Sequence, residues 1–221
     1  MNKPLRFSSK THKLLWCSDF HCQHSPNWDS PPLWSTRGFS SIQEHDAWVK
    51  AKWFEMVDDQ TVVFALGDTV FSDPKGEWFR QFTTWPGDIR CWNGNHVSGH
   101  RQIYREAAKA RGFADHELVY PLKVNNLTFV GDQLLMWIDG VSVYCQHYAP
   151  LIWPEMKAGH YALAGHSHGR CPELNPGDAT HGRIMDVGTD NAITFNGTPF
   201  FSWQEIQRIM QGKPIVCRDH H

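Results

Sequence analysis

The sequence predicts an α/β protein, a layered α/β/β/α sandwich with two mixed β-sheets. From Lys13 to Gly112, short β-branched and aromatic runs alternate with segments of helical periodicity, as strand–helix–strand units with parallel pairing require. From Val119 onward, the two-residue turn signals Asn125-Asn126 and Asp139-Gly140 separate apolar runs, which calls for antiparallel hairpins and a second sheet packed on the first. Several of the runs also end at an Asp or His, the position where open α/β sheets place their ligands.

The first strand, Lys13 to Ser18, leads into Asp19-Phe20-His21. The stretch from Cys22 to Arg37 holds Pro26, Pro31 and Pro32, and so reads as an irregular loop leaving the site. Its Trp28 and Trp34 either pack the loop onto the domain or wall a substrate pocket by stacking on an aromatic group. The next helix starts at Ser40-Ser41, where Ser40 with Gln43 or Ser41 with Glu44 makes a capping box. Its Ile42, Trp48, Val49, Trp53 and Met56 form one apolar face.

The run Thr61 to Leu66 reads as a buried strand ending at Gly67-Asp68. A short helix over Gly76 to Thr84 stops before Trp85-Pro86-Gly87, and a third strand, Asp88 to Asn93, enters Gly94-Asn95-His96. Ser98 to Arg111 forms a helix closed by Gly112. The predicted hairpins pair Val119 to Val124 with Leu127 to Val130, and Leu134 to Ile138 with Val141 to Cys145, the latter running on into His147. Tyr161 to Ala164 runs into Gly165-His166-Ser167-His168. Arg183 to Val187 and Ala192 to Phe195 read as two further strands, with Asn196-Gly197 as a turn, and Ser202 with Glu205 caps a last helix carrying Ile206, Ile209 and Met210.

At 221 residues the chain suits a single sizeable domain, and no linker divides it. Its 21 basic residues nearly cancel its 23 acidic ones, which gives no overall reason for non-specific nucleic-acid binding. The cysteines Cys17, Cys22, Cys91, Cys145, Cys171 and Cys217 form no CxxC pair and read as reduced, mostly buried thiols. No apolar run approaches the roughly 18 residues of a membrane span, so the expectation is a cytoplasmic protein with no membrane contact. Histidine is abundant, at 14 residues, and most of the informative ones stand at predicted strand ends; His220 and His221 are left out of that argument.

Strand ends that each deliver a carboxylate, an amide or an imidazole are explained most economically by a site for two metal ions. Imidazole with carboxylate suits Mn, with Fe, Zn or Ni as alternatives, whereas an all-oxygen set would point to Mg or Ca. A lone strand-end histidine such as His147 is more often a structural residue. The weight lies in the whole series.

That series, Asp19-x-His21, Gly67-Asp68, Gly94-Asn95-His96, His147 and Gly165-His166-Ser167-His168, resembles the calcineurin-like metallophosphoesterase superfamily from Leu14 to Asp190. Within it, Arg37-Gly38-Phe39-Ser40-Ser41, His147-Tyr148-Ala149-Pro150 and Val187-Gly188-Thr189-Asp190 followed by Pro199 resemble the small bacterial and phage phosphoesterases. The resemblance implies two divalent ions, one held by Asp19, His21, Asp68 and His168, the other by Asp68, Asn95, His147 and His166, with Asp68 bridging. It also implies hydrolysis of phosphomonoesters or phosphodiesters, with a hydroxide held between ions about 3.5–4 Å apart attacking in line. Asn95 would donate to a phosphoryl oxygen, and His96 would stabilise the transition state or protonate the leaving oxygen.

The expected substrate is a small phosphate ester, with a nucleotide or nucleic-acid end suggested by Trp28 and Trp34 and contacts reaching in from Arg37, Arg170 or His181. The alternative is a non-catalytic protein-interaction scaffold on the same fold. Two departures stand out. Val97 follows Gly-Asn-His where the family commonly has Asp or Glu, a place Asp73 would have to take, and Thr69-Val70-Phe71-Ser72 replaces Val-Asp-Arg-Gly, which argues against the protein Ser/Thr phosphatase branch.

Overall fold

A computed structural model describes residues 5–24, 31–114 and 117–218. The strands are β1 (Leu5–Phe7), β2 (Lys13–Cys17), β3 (Thr61–Ala65), β4 (Asp88–Trp92), β5 (Leu122–Val124), β6 (Leu127–Gly131), β7 (Gln133–Ile138), β8 (Val141–Gln146), β9 (Tyr161–Ala164), β10 (Ile184–Asp186) and β11 (Phe201–Ser202). The helices are α1 (Leu33–Thr36), α2 (Ile42–Met56), α3 (Ser98–Ala110), α4 (Thr189–Asn196) and α5 (Trp203–Gly212).

Two mixed sheets form among the described residues. One has 6 strands in the order β11-β2-β3-β4-β6-β5, the other 5 in the order β1-β7-β8-β9-β10. In the first, β2, β3, β4 and β6 run parallel, with β11 and β5 antiparallel at the edges. In the second, only β7 and β8 pair antiparallel. The parallel arrangement puts the carboxyl ends of β2, β3 and β4 side by side, which is what brings residues 19, 68 and 95 to one edge.

The inner faces meet in one apolar layer. Leu14, Trp16, Val62, Phe64 and Trp92 from the first sheet pack with Met136, Ile138, Val143, Cys145 and Leu163 from the second. Trp92 Nε1 donates across the layer to the Cys145 carbonyl at 3.0 Å. On the outer face of the first sheet, Val49 and Trp53 of α2 and Ile103, Tyr104 and Ala108 of α3 cover Leu15, Val63, Ile89 and Phe129. The outer face of the second sheet is covered by Trp153, Met156 and Leu174, which stand in or beside 3-10 turns, where a fourth helical layer was expected. The longer C-terminal helix, α5, instead sends Ile206, Ile209 and Met210 into the layer between the sheets.

The structure corrects other sequence expectations. The β5–β6 hairpin extends the first sheet, because β6 also pairs parallel with β4; the second sheet is built from β7 onward and from β1, which the sequence reading does not contain. Residues 192–195, expected as a strand, lie in α4, which starts immediately after β10 and closes at Gly197 with φ +72°. Ala192 is buried between the sheets, so the segment is held by tertiary packing that overrides its β-branched composition. The segment 76–84 forms a 3-10 turn over Phe79–Thr84 only. The loop after Cys22 includes the single turn α1.

Helix α2 begins as expected, with Ser41 Oγ accepting from the Glu44 N–H at 3.1 Å, although the Glu44 carboxylate returns to the Ser40 N–H at 2.7 Å. Its buried face is less apolar than expected: His45 and Asp46 lie on it beside Val49 and Trp53. Asp46 Oδ2 accepts from Gln23 N and Nε2 at 3.0 and 2.7 Å, anchoring the chain just past His21. Helix α5 has the full capping box of Ser202 and Glu205. Cys17, Cys22, Cys91 and Cys145 are buried, and no disulfide forms among the described residues. No helix among the described residues is long and apolar enough to cross a membrane.

His100 on α3 is packed against Phe79 and Phe129, with ring centroids at 5.5 and 4.6 Å. Burial, reinforced by the Arg101 charge, pushes its pKa down to about 3. A histidine held neutral in the folded state contributes stability that is complete above its ordinary value of 6.5 and is lost as the pH falls toward 3. In metal-free protein, His100→Phe is expected to flatten the acid limb of urea-unfolding stability in that window by as much as about 1.4 kcal/mol per pH unit. Equal slopes in the two proteins would show that this imidazole protonates without cost.

Candidate metal centre

The strand ends deliver their side chains on strained backbone. Asp19, His21, Asp68, His166 and His168 all take left-handed conformations, with φ of 58°, 50°, 48°, 69° and 50°. Such angles are uncommon outside glycine, though more tolerable for Asp and His, and they cluster where a site has to be aimed. Two glycines make the close approach possible. A Cβ at Gly94 would stand 1.9 Å from Asp68 Oδ1, and one at Gly165 would stand 2.6 Å from Asp19 Oδ2.

Each carboxylate has one oxygen tied down and the other left facing imidazoles. Asp68 Oδ1 accepts from the His96 N–H at 2.8 Å, while Oδ2 lies 3.7 Å from His21 Nε2 and 3.3 Å from His147 Nε2. Asp19 Oδ2 accepts from the His166 N–H at 2.8 Å, while Oδ1 lies 3.7 Å from His21 Nε2 and 4.0 Å from His168 Nε2. Asn95 Oδ1 stands 2.9 Å from His147 Nε2 and 3.0 Å from His166 Nδ1. The ligand atoms of Asp19, His21 and His168 lie within 4.8 Å of one another, as do those of Asp68, His147 and His166, and those of His21, Asp68 and His96.

These residues fit divalent metal. Asp19 Oδ1 and both ring nitrogens of His21 are buried with no hydrogen-bond partner, a costly arrangement unless a further group satisfies them. The tautomers suit ligation as well. The Leu66 carbonyl accepts from His147 Nδ1–H at 2.8 Å and leaves Nε2 free toward Asp68; Asp190 Oδ2 accepts from His168 Nδ1–H at 3.0 Å and leaves Nε2 toward Asp19.

The charges agree. Burial alone would raise the Asp68 carboxyl, but the His147 and His21 imidazoles outweigh it and hold the pKa below the usual range. Asp19 is likewise lowered, against its burial, by His21, His147 and His168. Burial lowers His21, whereas His168 is raised because Asp190 and Asp19 outweigh its burial.

All the expected ligands therefore converge: Asp19, His21, Asp68 and His168 on one side, and Asp68, Asn95, His147 and His166 on the other. His96 stands at the rim, half-buried, its ring 4.3 Å from Phe71 and 5.2 Å from His21. Asp73 does not take the place left by Val97, because its Oδ2 accepts from the Phe79 N–H at 2.7 Å. No described carboxylate makes a hydrogen bond or ion pair with the His96 ring.

The expected substrate contacts fare differently. Trp28 lies outside the described residues. Trp34 sits half-buried on α1, whose Leu33 and Thr36, with Arg170 and His168, line a cavity of about 290 Å³. Arg37 is a correction: all its donors are used within the protein. Its Nε and Nη2 donate to Asp190 at 3.0 and 2.7 Å, Nη1 reaches the Phe20 carbonyl and His45, and Nη2 also reaches the Asp19 carbonyl. His181 pairs with Arg218 at 3.0 Å.

Because the Arg37 side chain is 1% exposed, Arg37→Ala is expected to cost about 3–5 kcal/mol in urea unfolding, as loss of one partner of a buried ion pair does. A variant as stable as the parent would return Arg37 to the candidate substrate contacts.

The sequence reading assigns no role to the carboxylates behind the ligands. Asp190 bridges Arg37 and His168. Asp186, wholly buried, accepts from Ser167 Oγ and from the Gly188 N–H, and burial together with the Asp19 charge raises its pKa to about 6. The available signal was the rule that a ligating histidine has a supporting acceptor, applied to Val187-Gly188-Thr189-Asp190.

No family model matches the chain, and no curated protein matches it. Among solved structures it is similar to a protein of unknown function, AQ665 from Aquifex aeolicus. The two share 16% identity at a TM-score of 0.56, over 90% of this chain and 99% of that one, a likeness of fold.

Proposed function

We propose that the protein is a metallophosphoesterase of the calcineurin-like type, a hydrolase of phosphate esters that works with two divalent ions, Mn foremost. The observation that carries this reading is Asp68 Oδ2, which lies 3.3 Å from His147 Nε2 and 3.7 Å from His21 Nε2 and so stands between the two ligand groups. When bound, such a metal pair supplies a nucleophile from water at neutral pH and positive charge for the phosphoryl oxygens.

The chain's own groups supply the rest. Asp19 and Asp68 are ionised, and with His21, His147, His166, His168 and Asn95 they would hold the pair. With Asn95 Oδ1 turned to His147 and His166, its Nδ2 is left to donate to a phosphoryl oxygen. His96, at the rim with its ring against Phe71 and His21, would give a proton to the departing oxygen. The left-handed backbone and the Asp190 and Leu66 acceptors keep these side chains aimed before substrate arrives, so little reorganisation opposes the reaction.

The test is metal content after purification, combined with hydrolysis of a chromogenic phosphomonoester and phosphodiester under added Mn. Two ions per chain and turnover of either ester are expected. No bound metal and no turnover would overturn the proposal in favour of an interaction scaffold.

A further inference from the structure

A second cavity, of about 440 Å³, borders the segment that carries Asn95 and His96, with Gly94 and Val97 in its wall. Arg101 and Arg105, one turn apart on α3, line it, and neither guanidinium makes an ion pair or hydrogen bond among the described residues. Two unpaired guanidiniums in one concavity favour an anion with several oxygens. His100 lines the same cavity; it is 7% exposed and its buried Nε2 has no partner. The start of α3 adds to the positive field: Val97 caps it with no side-chain bond, and the first helical bond runs from Arg101 N to the Val97 carbonyl at 2.7 Å.

The described carboxylate of the cavity, Asp132, is exposed and already accepts from Asn93 Nδ2 at 2.7 Å. Tyr120, with its ring 5.1 Å from that of Tyr104, and exposed Leu118 complete a partly apolar wall.

We propose that this cavity holds a second phosphoryl group of the substrate, so that the preferred esters carry two phosphates, one at the metal centre and one between Arg101 and Arg105. The proposal deepens the phosphoesterase reading and rests on it for the word substrate; the anion site itself does not.

The probe is adenosine 3′,5′-bisphosphate, titrated calorimetrically into the full chain stripped of metal with chelator, so that the metal centre contributes no cationic attraction. Binding is expected, and it should weaken roughly tenfold or more in the Arg101→Gln/Arg105→Gln double variant, as losing charge-assisted bonds predicts. Lys109→Gln, on the same helix but outside the cavity, is expected to leave the affinity within about twofold, the scale of a screened surface charge. With Mn added, the ratio of kcat/KM for the bisphosphate to that for adenosine 5′-monophosphate should fall in the double variant. Equal affinity in parent and double variant, or an equal loss in Lys109→Gln, would overturn the anion site while leaving the metal centre untouched. Arginine-dependent binding in a protein that takes up no metal would overturn the phosphoesterase reading and keep the site.

Discussion

Asp68→Asn is expected to empty both halves of the metal centre. The carboxylate keeps one oxygen on the His96 N–H and holds the other within 3.7 Å of His21 Nε2 and 3.3 Å of His147 Nε2, so a single group serves both sides. An amide can still accept from the His96 N–H with its oxygen, which preserves the local fold, but it presents a neutral NH₂ where the shared oxygen stood. The loss of metal affinity should exceed the 10–100-fold typical of removing a supporting partner. Elemental analysis is expected to find fewer than one ion per chain, with turnover falling in step. In chelator the variant should be somewhat less stable than the parent at neutral pH, because His147 and His21 favour the Asp68 charge in the folded protein and the amide carries none. Two ions retained per chain would refute the bridging role.

His96→Ala is expected to do the reverse, sparing the metals and slowing the chemistry. The His96 ring is held by Phe71 and His21 with no carboxylate partner, and it borders the ligand groups of His21 and Asp68. Loss of an acid–base group of this kind slows turnover by roughly 10²–10⁴-fold. If the variant instead loses metal, His96 belongs with His21 and Asp68 as a ligand, and the proton must come from another group.

Much of the site was legible because its signals are local. A buried run such as Thr61 to Leu66 ends at a glycine, and the next side chain must stand at the strand's carboxyl end. Asn95 and His166 likewise follow a glycine at a strand's end, while Asp19 and His147 come straight after Ser18 and Gln146. The misreading of Arg37 has a different origin. An arginine on a proline-bounded loop looks free in the sequence, and only the fold sets Asp190 and the carbonyls of Asp19 and Phe20 around it. Residues 192–195 have strand composition, yet packing of Ala192 between the sheets makes them helical.

Periodicity and turn chemistry, which act over a few residues, by themselves determined most of the strands, the helices α2, α3 and α5, and which residues stand at the strand ends. Only the tertiary structure decided that β6 joins the first sheet, that β1 pairs with β7, and that Asp186 and Asp190 stand behind the ligands. The physical reason is range. A strand's partner and a charge's neighbour are chosen by burial and hydrogen bonding between residues far apart in the chain, and no local pattern carries that choice.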